Sequence, residues 1–273
     1  MKAVLVIGDL NDKLIHVLNK CVEDNIIHHY VNYEIYNKVH KRVNEEMHLE
    51  NAALSNEDFC NMFINTTKHD ELVNEWVILK GDIHTKDFLR ILIKLEKSFD
   101  PLHNKSIFLS HIAKLVSKDG KSFYLSDGAL NTKQLEDETI LYNIIDNAKK
   151  YINKQDANIA IVLAADNSNV PGYDAAIKVK FEYTKIKQLD ECFDPKAWVL
   201  KNKDKDINEF AIPDLIITPD ITVGNCIWKS LTILNNWNVM GYVIGGKLKT
   251  VLLSRSDYEE SYYESIKGAC NED

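Results

Sequence analysis

The chain lacks paired cysteines. Cys21, Cys60, Cys192, Cys226 and Cys270 are odd in number, scattered over 273 residues and never spaced Cys-x-x-Cys. That excludes a disulfide framework and a zinc site and fits a reducing cytoplasm. Long apolar runs are missing as well, and none approaches the length needed to span a bilayer. The opening MKAVLVIGDLND is too short in its apolar part for a secretory leader and meets acidic residues at once. The expectation is a cytoplasmic protein with no membrane partner. Positive charge is also scarce: the net charge is -8. A general nucleic-acid binder needs a broad basic surface and is excluded, whereas an anionic small molecule needs only a local basic pocket. The turn GDLNDK holds Gly8 alone, where a dinucleotide fingerprint needs three glycines. No aspartate cluster suits a divalent metal. His111 has no metal partner at helix or loop spacing and is read as a packed or hydrogen-bonded residue.

What is present is a core. With 45% hydrophobic and 27% charged residues, a chain of this length sits where one core begins to divide, and two lobes are expected. Short apolar runs at 3–7, 76–79, 107–109, 122–125, 159–164, 215–218, 239–244 and 250–253 read as strands. Helical spacing appears between several of them, at 86–95, 137–152 and 226–235. This alternation defines an α/β chain with a largely parallel sheet. Ligands of such sheets lie at strand carboxyl ends. The polar stretch 201–208, KNKDKDIN, reads as a solvated loop, and the charged stretch 37–50 as an exposed helix.

Four strand ends carry candidate chemistry. LKGDIHTKDF puts Lys80, Gly81, His84 and Thr85 at a strand-to-helix junction, where free N–H groups and the helix dipole favour an anion. Thr85 acting merely as a cap is the simpler reading. SFYLSDGALNT ends a strand at Ser126 and Asp127, with Asn131 beyond, either as a ligand loop or as a turn into the next helix. In PDLIITPDITVGNCIWKSL a buried strand ends at Pro219-Asp220, and Gly224-Asn225 then opens a helix. There glycine permits a close turn and Asn225 serves as cap. In VIGGKLKTVLLSRSDYEES a strand delivers Ser254, Arg255, Ser256, Asp257, Glu259 and Glu260. Arg255 offers a planar fork of donors and Ser254 a hydroxyl, and a carboxylate there could take a proton. The alternative is a helix start, with Ser254 or Ser256 as N-cap and the acids favoured by the dipole.

Together LKGDIHTKDFLR, IFLSHIAKLVSKDGKSFYLSDGALN, VLAADNSNVPGYDAAIK, PDLIITPDITVGNCIWKSL and VIGGKLKTVLLSRSDYEES, running from Trp76 to Ile266, resemble the phosphate acetyl/butyryltransferase family (phosphotransacylases), closest to the butyryl branch. The resemblance implies a two-lobed three-layer α/β/α fold, isocitrate/isopropylmalate dehydrogenase-like, with an interlobe cleft. The first lobe would comprise residues 1–135 and 242–273, the second 136–241. It implies transfer of a short-chain acyl group, butyryl or branched-chain, between coenzyme A and inorganic phosphate. It implies no prosthetic group or metal, and a homodimer or larger assembly. Ser254 and Arg255 would hold phosphate and developing negative charge, and Glu260, or after it Asp257, would be the base. Asn131, Gly224, Asn225, Lys80, Gly81, Thr85, Ser126 and Asp127 would contact substrate. The chain departs from the family pattern at Thr132-Lys133-Gln134, at Asp166-Asn167 where glutamate is usual, and in the lead-in to Asp190. An alternative reading is therefore a weak or inactive relative that binds coenzyme A or acyl phosphate and regulates.

Overall fold

The computed structural model describes residues 2–47, 53–99, 107–132, 134, 137–154, 157–162, 174 and 213–271. Most of VLAADNSNVPGYDAAIK, Asp190 and the stretch 201–208 lie outside them. In chain order the elements are β1 (Lys2–Ile7), α1 (Asp12–Glu23), β2 (Ile27–Val31), α2 (Tyr33–Met47), α3 (Asn56–Thr66), α4 (His69–Glu75), β3 (Trp76–Lys80) and α5 (Thr85–Ser98). Next come β4 (Ser110–Val116), β5 (Ser122–Ser126), α6 (Glu138–Ile152), β6 (Ile159–Ile161), β7 (Leu215–Ile217) and α7 (Ile221–Lys229), which runs on into a π-helical turn (Ser230–Leu234). The chain closes with β8 (Asn238–Ile244), β9 (Lys249–Val251) and α8 (Glu259–Asn271). They form two compact units, Met1–Ile107 with Gly246–Asp273, and Phe108–Gly245.

The first unit holds a parallel sheet in the order β2-β1-β3-β9. Its central strands VLVI and WVILK are buried along both faces, as parallel strands covered by helices should be. Helix α1 starts where Asn11 accepts a hydrogen bond from Leu14 N at 3.0 Å, and it buries Leu14, Val17, Leu18 and Cys21 at helical spacing. Helix α5 does the same with Phe88, Ile91, Leu92 and Leu95. Each such side chain contributes about 1.5–3 kcal/mol when fully buried.

The second unit has strands in the order β8-β4-β5-β7-β6. Here the expected parallel pairing fails: β4 runs antiparallel to both β5 and β8, and only β5-β7 and β6-β7 are parallel. The short turn Ser117–Lys121, closed by Ser117 N to Lys121 O at 2.8 Å, joins β4 to β5. A connection that tight permits only the antiparallel arrangement. The run 107–109 is a lead-in rather than the strand itself, because Ser110, His111 and Lys114 interrupt the apolar pattern of β4. β2, read as no strand at all, has two exposed histidines, His28 and His29, on an edge paired with β1. Among the described residues no helix is long and apolar enough to cross a membrane.

Candidate active site

The first unit gathers one set of candidates where β1, β3 and β9 end. Gly81 N donates to Ile7 O and Asp82 N to Asp9 O, both at 2.9 Å. The two chain ends approach so closely that a Cβ on Gly81 would lie 2.7 Å from Asp9 O, which only glycine tolerates. Lys80, the last residue of β3, is 3% exposed, and among the described residues its ammonium makes one long hydrogen bond, 3.4 Å to Gly81 O. Burial, reinforced by the Arg255 guanidinium and opposed by Asp82, lowers its pKa. The helix dipole end of α5 follows at once. Its N-cap is His84, extended and with no side-chain cap hydrogen bond, so Thr85 is not the cap the simpler reading made it but the first helical residue.

The segment after β9 is not the beginning of α8. Asp257 N donates to Ser254 O at 2.9 Å, and Asp257 Oδ2 accepts from Ser254 N at 2.8 Å. These reciprocal bonds fold 254–257 into its own turn, with Asp257 3% exposed inside it. Ser254 Oγ lies 3.0 Å from Ser256 Oγ. Neither serine caps α8, whose first turn begins at Glu259. Arg255 reaches Asp82 Oδ1 at 3.2 Å, its side chain 57% exposed. Tyr262 donates to Ser254 O at 3.2 Å, and its own hydroxyl pKa is raised by burial and by Asp257. Glu260 is exposed on the first turn of α8. Nearby, Tyr33 donates to Asp9 Oδ1 at 2.5 Å; that bond, with burial, pushes its pKa up to about 12.

The second unit gathers the rest. Asp127, fully buried, is the centre of the loop after β5. Its Oδ1 accepts from Ala129 N at 2.9 Å and Leu130 N at 2.8 Å, and its Oδ2 from His111 N at 2.9 Å and Asn131 Nδ2 at 2.6 Å. Ser126 donates its hydroxyl to His111 O at 2.7 Å. Gln134 donates to Asp127 O at 2.6 Å and accepts from Asp127 N at 3.2 Å. Gly224 and Asn225 do not open α7. Asp220 caps it, accepting from Thr222 N at 2.7 Å and Val223 N at 3.0 Å, because its carboxylate satisfies two N–H groups of the first turn. Asn225 sits one turn further on and donates to Gly128 O at 3.0 Å. A Cβ on Gly224 would stand 2.9 Å from Asp127 O. Beneath this loop His111 stacks on Trp228, centroids 5.0 Å apart and planes 10° from parallel.

The structure thus brings Lys80, Gly81, Thr85, Ser254, Arg255, Asp257 and Glu260 to one unit, and Ser126, Asp127, Asn131, Gly224 and Asn225 to the other. Among the described residues no group of three or more His, Cys, Asp or Glu could hold a metal ion. Sequence reasoning missed Asp82, the partner of Arg255, although it lies two residues beyond Lys80 in the same quoted stretch. It also missed Gln134, set aside as a departure from pattern, and Trp228, hidden as a generic core aromatic.

No family model matches the chain. It is 24% identical over 201 residues to the phosphate acetyltransferase of Thermotoga maritima, covering 69% of this chain and 67% of that one. It is 27% identical over 206 residues to the phosphate butyryltransferase of Clostridium acetobutylicum, covering 70% and 66%. The chain spans about two thirds of the length of these curated relatives. Its fold matches the crystal structure of a branched-chain phosphotransacylase from Enterococcus faecalis with a TM-score of 0.71, 23% identity and 99% of both chains covered. Sequence and fold point the same way: the chain is similar in sequence to phosphate acetyl- and butyryltransferases, and its fold is that of a branched-chain phosphotransacylase.

Proposed function

We propose that the chain is an enzyme that moves a short-chain acyl group, butyryl or branched-chain, between coenzyme A and inorganic phosphate: acyl-CoA + phosphate giving acyl phosphate + CoA. On this reading its units take the three-layer α/β/α form of the isocitrate and isopropylmalate dehydrogenases. The reaction needs no prosthetic group, and the active form is a homodimer or larger assembly. The names of the relatives support the reaction class. The observation that carries it for these residues is the pair of cations at the ends of neighbouring strands: buried Lys80, the last residue of β3, and Arg255 beyond β9.

A buried ammonium with one long hydrogen bond is costly unless an anion completes it. Arg255 is held only by an exposed ion pair with Asp82, worth about 0–1 kcal/mol, so a phosphate dianion displaces that carboxylate readily and gains a bidentate contact. The uncapped first turn of α5 adds N–H groups of the same preference. In the direction of acyl-CoA formation, the thiol of coenzyme A gives its proton to Glu260 and the sulfur attacks the acyl-phosphate carbonyl. A C–S bond forms, the carbonyl pair moves to oxygen, and its return breaks the C–O bond to phosphate. Arg255 and Ser254 neutralise the oxyanion and the departing phosphate, at about 3 kcal/mol per well-placed donor. Asp257, already engaged by Ser254 N, fixes the turn and leaves the proton transfer to Glu260. The loop of Ser126, Asp127 and Asn131, with Gly224 and Asn225, contributes to substrate binding.

The test is thiol release from butyryl-, isobutyryl-, propionyl- and acetyl-CoA in the presence of phosphate, read with a thiol reagent on the full chain. Turnover is expected, greatest with the four-carbon thioesters, and Arg255→Ala is expected to lower kcat/KM about 100-fold or more. Full activity in Arg255→Ala would sink the proposal. Binding of coenzyme A by wild-type protein without any turnover would support a ligand-binding relative instead.

A further inference from the structure

The carbonyl oxygens of the 254–257 turn are bound from one direction by a residue of the first helix. Lys13, on α1, donates from Nζ to Arg255 O at 2.7 Å and to Asp257 O at 2.8 Å, and its ammonium lies 4.9 Å from the centre of the Tyr262 ring. Tyr262 in turn donates to Ser254 O. Three of the turn's four carbonyls are therefore held by side chains from α1 and α8, while Asp257 holds its N-terminal N–H.

We infer that Lys13 is a positioning residue for Arg255, and this rests on the phosphate acyltransferase reading above. The turn comes from a three-residue strand and has no sheet partner of its own to fix it. A peptide unit free to rotate at Arg255 swings the guanidinium, at the end of a long side chain, by several times the backbone displacement. Small misplacement of a charged group that must meet a transition state is costly: about 100-fold for a shift near 1 Å. Two charge-assisted bonds to consecutive parts of the turn remove that freedom. A lysine does this where a neutral donor does not, since its three N–H groups serve two carbonyls at once. The two bonds to the turn go to main-chain oxygens, one of them Arg255's own, so its part in the reaction runs through Arg255.

The test compares Lys13→Met and Lys13→Arg with wild type in the phosphate-dependent assay. It measures kcat, KM for phosphate and KM for the acyl-CoA separately, and uses thermal melting to check folding. Lys13→Met is expected to lower kcat/KM for phosphate about 10- to 100-fold, with KM for acyl-CoA within twofold of wild type. Lys13→Arg, able to reach both carbonyls, is expected to recover most of the loss. In an Arg255→Ala background Lys13→Met should add nothing, because the residue it positions is gone. Should Lys13→Met not fold, the Lys13→Gln variant, which can serve one carbonyl, is expected to fall between Lys13→Met and wild type. A Lys13→Met or Lys13→Gln protein with unchanged phosphate kinetics overturns the inference while Arg255→Ala still fails. Losses shared equally by phosphate and acyl-CoA, or fully additive with Arg255→Ala, overturn it as well. Wild-type turnover in Arg255→Ala overturns the acyltransferase reading and the inference together.

Discussion

Replacing Lys80 with methionine should make the protein both more stable and worse at binding phosphate. Lys80 is 3% exposed, its ammonium is served among the described residues by a single 3.4 Å contact, and it is repelled by Arg255. Buried donors left short of partners cost about 1–3 kcal/mol. Methionine occupies nearly the same volume with no donors, and exchange of a poorly compensated buried charge for an apolar isostere is commonly neutral or stabilising. The melting transition should rise by about 2–6 °C in phosphate-free buffer. In the same variant the loss of a charged contact, worth about 1.5–3 kcal/mol, should raise KM for phosphate about 10- to 150-fold, and the stabilisation that wild type gains from added phosphate should vanish. A pH series sharpens the test. The folded-state pKa of Lys80 is depressed below its ordinary value of 10.5, chiefly by burial. The unfolded chain therefore holds more protons in the window below 10.5, and wild-type stability should rise with pH there through this residue. Lys80→Met should lack that rise. Differential scanning calorimetry across pH with and without phosphate, alongside the thiol-release assay, measures all three effects. A variant that melts lower than wild type and still responds fully to phosphate would refute the reasoning.

Glu96 accepts hydrogen bonds from Lys247 N at 2.8 Å and Leu248 N at 2.9 Å, yet burial outweighs them and its pKa is raised. A raised carboxylate pKa means the folded state holds the extra proton, so this contribution to stability is full below about 4.5 and declines as pH rises through the folded value. Glu96→Gln should flatten that decline, as thermal melts between pH 4 and 7 will show; an unchanged slope would refute it. Gly224→Ala should cost about 1–3 kcal/mol, because the new methyl meets Asp127 O and Gly128 Cα at 2.9 Å. Urea unfolding reads the cost, and a midpoint equal to wild type would show that the α7 contact has slack.

The strand ends that carry the candidate residues were legible because buried β-strands advertise themselves: VLVI, WVILK and the run before Ser254 read as the core of a sheet. The stretches around Arg255 and around Asp127 do lie at strand carboxyl ends, the first beyond β9 and the second beyond β5. Other features were hidden for physical reasons. The direction of β4 depends on the five-residue turn that follows it, and the strand's own composition is silent about direction. Asp220 and Asn225 are both good caps, and only the hydrogen bonds of α7 decide which one acts. Lys13 reads as an ordinary exposed position of an amphipathic helix, since its carbonyl partners lie more than two hundred residues away in sequence. Asp82 was invisible as a partner of Arg255 for the same reason: an ion pair across sheet neighbours leaves no local periodicity.

The register of β3 against β9 has a bearing on biosynthesis. On the ribosome, Trp76–Lys80 emerges early and can pair with β1 at once, but its other edge must wait until the whole Phe108–Gly245 unit has been made before Lys249–Val251 arrives to cover it. For that interval a strand apolar from Trp76 to Leu79 presents open backbone groups, the state most prone to pairing with a neighbouring nascent chain. A polypeptide cut short before Lys249 would keep that sticky edge permanently, and would lose Arg255 with it.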